Sequence, residues 1–104
     1  MKIVRVVYTA RPEFVKQNMA NIRKVMSDLG QLNYPGIFYS TCLSSDNKTF
    51  IHMAFFQSEE DQKLLNELPS FKDFQEQLKS NGFEKPPGQD LLTLVGSSKD
   101  IFNH

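Results

Sequence analysis

Two stretches of this chain are apolar on both faces when drawn as strands, and this constrains the fold more than any other feature. Side chains along a strand alternate between faces. Ile3 to Ala10 therefore presents Ile3 and Val7 on one side and Val4, Val6 and Tyr8 on the other. The stretch TFIHMAFFQ sets Ile51, Met53 and Phe55 against Phe50, Ala54 and Phe56. A sheet of such strands needs cover on both faces. At 104 residues the chain is long enough for one domain over residues 1–104 with a two-layer core, but too short to cover both faces by itself. An exposed apolar face of that size is rare on monomers, so a homodimer is expected.

The remaining elements follow from periodicity and turn chemistry. Pro12 opens a helix whose apolar residues Phe14, Val15, Met19, Ile22, Val25, Met26 and Leu29 recur at helical spacing, and Gly30 is the expected cap. After QLNYPG come IFYSTCLS, the turn-forming SSDNK and TFIHMAFFQ, which read as a hairpin. Ser58, followed by Glu59, Glu60 and Asp61, starts a short helix that runs to about Leu68. Pro69 breaks it, Ser70 with Asp73 repeats the capping signal, and FKDFQEQLKS is a second piece that ends at Asn81 and Gly82. FEKPPGQ reads as a linker and DLLTLVGS as the last strand. The order β-α-β-β-α-β, with its second helix in two pieces, is the α+β ferredoxin-like pattern, an antiparallel sheet with helices on one face.

Charge and composition exclude several functions. Twelve basic residues balance twelve acidic ones without a like-charge block, so no nucleic-acid or anionic-membrane partner is expected. Arg5 interrupts the first apolar run, which argues against a signal peptide, and no run approaches membrane-spanning length. One cysteine, Cys42, suits a reducing, cytoplasmic setting. His52 and His104 are far apart in sequence and lack ligand-spaced companions, so no metal site is expected, and the glycines fit no nucleotide fingerprint.

If Asp46 and Asn47 centre the hairpin turn, Thr41 faces His52, Tyr39 faces Ala54, Ile37 faces Phe56 and Cys42 faces Ile51. Tyr39, Thr41, His52 and Phe56 then share one face. Cys42 falls on the other, with Arg5, which excludes a Cys42–His52 dyad and suits Arg5 to an interface.

The segments FIHMAFFQSEED, LPSFKDF, ARPE and KPP, spread over nearly the whole chain, resemble the dimeric α+β barrel superfamily and, within it, the antibiotic biosynthesis monooxygenase family. The departures bear on chemistry. The family's frequent strand-end tryptophan is Phe56, the glutamate two residues earlier is Ala54, and two helical histidines are Leu65 and Ser70. The Asn, Trp and His of the haem-degrading branch fall on Val6, Phe56 and Gln75, so haem oxygenation is not expected.

The resemblance implies a pocket between sheet and helices on the face of Tyr39, Thr41, His52 and Phe56. Val4, Val6 and Tyr8 would join it from the first strand, and Gln75 from the helix. His52 then reads in two ways: as a core imidazole bonded to a threonine or tyrosine hydroxyl, or as a general base or donor to a ligand, with Tyr8 or Tyr39 as a second polar group. The implied activity is cofactor-independent oxygenation of a small aromatic or quinone-like metabolite. The alternative is a non-catalytic ligand-binding or regulatory protein on the same fold.

Overall fold

The computed structural model describes residues 1–102; His104 lies outside them. The elements are β1 (Lys2–Ala10), α1 (Val15–Leu32), β2 (Ile37–Leu43), β3 (Thr49–Phe56), α2 (Glu59–Glu67), α3 (Pro69–Asn81) and β4 (Phe83–Leu92). The four strands form one antiparallel sheet in the order β2-β3-β1-β4. With three helices in β-α-β-β-α-α-β order, this is the ferredoxin-like α+β fold, and the second helical segment comes in two pieces as expected.

The hairpin register places Thr41 opposite His52, Tyr39 opposite Ala54, Ile37 opposite Phe56 and Cys42 opposite Ile51, as the sequence predicts. Asp46 fixes the turn. Its carboxylate accepts from the backbone N–H groups of Lys48 and Thr49 and from the Thr49 hydroxyl, which holds its pKa down to about 2. Asn47 takes the left-handed conformation that asparagine tolerates.

The helices pack on the sheet face bearing Val4, Tyr8, Phe50, Ala54 and Phe56, against Phe14, Ile22 and Val25 of the first helical segment and Leu65, Phe71, Phe74 and Leu78 of the second. The other face carries Arg5, Val7, Ile51, Met53 and Phe55, all half-buried, and Phe38, which is exposed. Arg5 meets Asp90 of β4 there, Nη1 to Oδ2 at 3.2 Å.

Several boundaries differ from the sequence reading. Pro12 to Phe14 is a tight 3-10 turn ahead of α1 and not its first turn. Gly30 lies inside α1; the helix ends at Asn33, whose left-handed backbone sends its N–H to the Leu29 carbonyl. Pro69 is the opening residue of α3, which has no side-chain cap; the expected Ser70 sits inside its first turn. Ser58 caps as expected, accepting from the Asp61 N–H, and α3 ends as expected at Asn81 and Gly82, where the Gly82 N–H bonds the Leu78 carbonyl at a positive φ.

The largest difference is the last strand, which is FEKPPGQDLL and not DLLTLVGS. Two prolines suit a sheet edge, where one side of the strand needs no partner. Val7 pairs with Gly88 and Thr9 with Lys85, so Pro86 and Pro87 together oppose Tyr8. That two-against-one bulge bends β4 beside Tyr8.

Candidate ligand site

Tyr8 from β1, Tyr39 from β2 and His52 from β3 converge on the helix-covered face because the antiparallel register aligns them. His52 is 4% exposed. Its Nε2 lies 2.9 Å from the Tyr8 hydroxyl, and its Nδ1 lies 2.6 Å from the Tyr39 hydroxyl and 3.0 Å from Thr41 Oγ1. Both ring nitrogens are therefore engaged, as the core reading of His52 requires. Burial disfavours the charged imidazolium and pulls the His52 pKa down to about 4, so the ring is neutral near pH 7. Burial also raises both phenols above their ordinary range. The Asn18 bond partly offsets this at Tyr8; at Tyr39 the neighbouring Tyr8 adds to it and a Thr41 bond opposes it.

These groups floor a cavity of about 230 Å³ between sheet, α3 and β4, walled by Val6, Phe71, Phe74, Leu78, Phe83 and Pro87. Gln75, Lys79 and Gln89 complete the lining, which contains no carboxylate. Aromatic contacts order the wall: His52 to Phe74 at 5.6 Å, Phe71 to Phe74 at 5.8 Å and Tyr8 to Phe83 at 5.6 Å between ring centroids.

The expected site residues separate on this geometry. Tyr8, Tyr39, His52 and Gln75 line the cavity; Thr41 reaches it only through the His52 ring. Phe56 does not line it. That ring is a core residue, 2% exposed, at the end of the sheet where it pairs with Lys2 and Ile37.

One polar residue escaped the sequence reading. Asn18 of α1 is fully buried and donates from Nδ2 to the Tyr8 hydroxyl at 2.8 Å, while its Oδ1 has no partner. The signal was present: Asn18 stands four residues from both Phe14 and Ile22, on the apolar stripe of the helix. Phe83, Pro87 and Gln89 were hidden because their segment read as a linker. Among the described residues no group of three or more His, Cys, Asp or Glu side chains could hold a metal, and no helix is long and apolar enough to cross a membrane. Cys42 is exposed on the opposite face.

No family model matches the sequence, and no curated protein matches it. Solved structures do match in fold. An antibiotic biosynthesis monooxygenase superposes with a TM-score of 0.73 at 10% identity, covering 92% of this chain and all of that one. Rv0793 from Mycobacterium tuberculosis gives a TM-score of 0.76 at 13% identity over 94% of this chain and 98% of that one. A mutant form of SnoaB, a cofactor-independent oxygenase from Streptomyces nogalater, gives 0.68 at 11% identity over 95% of this chain and 98% of that one. At these identities the likeness is one of fold, and the fold of this chain is that of the antibiotic biosynthesis monooxygenase structures.

Proposed function

We propose that this chain is a cofactor-independent monooxygenase-like protein that binds a small aromatic or quinone-like metabolite over Tyr8, Tyr39 and His52. The observation that carries this reading is the aromatic-walled cavity whose floor brings the two tyrosine hydroxyls and a neutral His52 together. An electron-rich phenol or anthrone that has released its proton to solvent water reduces dioxygen itself. The protein then needs to supply a dry cavity, orientation and stabilisation of the anion. SnoaB, named as a cofactor-independent oxygenase, has the same fold and supports the reading. The working unit is a homodimer joined through the open sheet face, and a cytoplasmic setting suits the exposed thiol of Cys42.

The second reading is a non-catalytic ligand-binding protein. It is favoured by the occupation of both His52 nitrogens and by the absence of a carboxylate from the lining to stabilise an imidazolium. Oxygen uptake with a panel of anthrones and hydroquinones, compared with anaerobic controls, separates the two. Oxygen-dependent turnover supports the first reading; saturable binding without turnover supports the second; no binding by any member of the panel defeats both.

A further inference from the structure

The buried polar groups form a chain whose direction can be read from its closed end. An amide NH2 only donates, so the Tyr8 oxygen accepts from Asn18 Nδ2 at 2.8 Å. The Tyr8 proton is then free for His52 Nε2 at 2.9 Å. A neutral imidazole holds one proton, and an accepting Nε2 places it on Nδ1, which donates to the Tyr39 oxygen at 2.6 Å. Thr41 Oγ1 lies farther from the same Nδ1, at 3.0 Å. With its oxygen accepting from His52, Tyr39 retains its own O–H, and Tyr39 lines the cavity.

The reverse direction would have the Tyr8 oxygen accept from both Asn18 and His52 Nε2–H and leave the Tyr8 O–H without a protein partner; the Asn18 bond works against it, because a hydroxyl that accepts one hydrogen bond becomes the better donor of the next. Turning the Asn18 amide over would put its whole NH2 in place of Oδ1 as the buried group without a partner. An orphaned carbonyl oxygen is the better tolerated of the two.

We propose that Asn18 is a positioning residue that polarises this chain, so that Tyr39 meets a bound ligand as a donor and the site holds the ligand by an acceptor oxygen, a phenolate or a quinone carbonyl. The ligand half of this inference rests on the cavity reading above; the polarity of the chain does not. His52 is then the middle of an anion-stabilising relay and not the group that removes the substrate's proton. Its depressed basicity agrees with that role.

Nitrogen-15 spectra of protein labelled at histidine report which ring nitrogen carries the proton. The expected result for the wild type is a single Nδ1–H tautomer at His52. Asn18→Leu removes the polarising donor, Tyr8→Phe cuts the chain one step later, and either change should give a mixture of tautomers. An Nε2–H tautomer in the wild type, or an unchanged tautomer in both variants, overturns the proposal. The ligand half is read with 4-nitrophenol, whose phenolate absorbs in the visible. Bound to the wild type it should ionise at lower pH than when free, and Asn18→Leu or Tyr39→Phe should remove that shift. Ionisation at higher pH when bound overturns the donor assignment. Failure of 4-nitrophenol to bind, with the tautomers as expected, overturns the ligand half and leaves the role of Asn18 supported.

Discussion

Replacing His52 by glutamine keeps a hydrogen-bonding side chain but removes the ring that joins Tyr8 to Tyr39. His52→Gln should cost about 1 to 3 kcal/mol of stability, because a glutamine cannot satisfy both hydroxyls and fill the ring's space. If the site is catalytic, the same change should lower the oxygen-dependent rate about a hundredfold or more while binding is largely kept, since the stabilisation acts on the anion. Turnover insensitive to this change would leave His52 a core residue only. The ring also predicts a pH dependence. Its folded pKa of about 4 lies below the unfolded value of 6.5, so between those values the unfolded chain binds more protons. His52 therefore leaves stability intact above pH 6.5 and reduces it as pH falls towards 4, by up to about 3 kcal/mol at the lower end. Denaturant titrations of the wild type and His52→Gln at about pH 7, 5.5 and 4 should show a smaller loss in the variant; parallel curves would contradict the assigned protonation.

At the scale of elements, the hairpin was legible because an Asp-Asn turn and a period of two leave few registers, and a one-residue slip would turn every side chain to the wrong face. The site's floor was legible with it. So was Gln75 above it, whereas the buried Asn18 behind Tyr8 and the far wall were not. Asn18 lies on a helix whose pattern reports only which face is buried, and its bond to Tyr8 depends on how that helix crosses β1. The segment FEKPPGQ carries turn residues, and only its place at the sheet edge lets it pair with β1. Gly30 gives the sharpest element-scale test. As a helix cap it would need glycine; as an interior residue with open space around its Cβ position it does not. Gly30→Ala should therefore raise stability by about 0.5 to 1 kcal/mol. Asn33→Val should lower it by about 1 to 2 kcal/mol, because a β-branched residue resists the left-handed backbone there. Thermal melts of the two variants should shift in opposite directions, and destabilisation by Gly30→Ala would move the helix end back to residue 30.

For the whole molecule, the question is what covers the second face of the sheet. Helices from the same chain cover one face, and Val7, Ile51, Met53 and Phe55 remain only half-buried on the other, beside an exposed Phe38. On the same face Leu92 of β4, which pairs with Ile3, is 39% exposed. A second copy packed sheet to sheet would remove such surface from water, each Å² of apolar area contributing about 25 cal/mol against the cost of association. Arg5 and Asp90 would enter that interface already paired with each other, which limits the penalty of burying them. Met53 lies on β3, one of the two central strands, and pairs with both Arg5 and Ser40, so it marks the middle of the proposed interface. Met53→Glu should place an unpaired carboxylate there and dissociate the dimer, with the helix-covered core unchanged, because Met53 does not belong to it. Light scattering at micromolar concentration should give twice the chain mass for the wild type and a single mass for the variant, with matching far-ultraviolet circular dichroism. A wild type that scatters as a monomer would leave the apolar face unexplained and remove the homodimer from the proposed function. A variant that stays dimeric would move the contact away from the centre of this face, and the outer strand β2 with its Phe38 would be the next region to mutate.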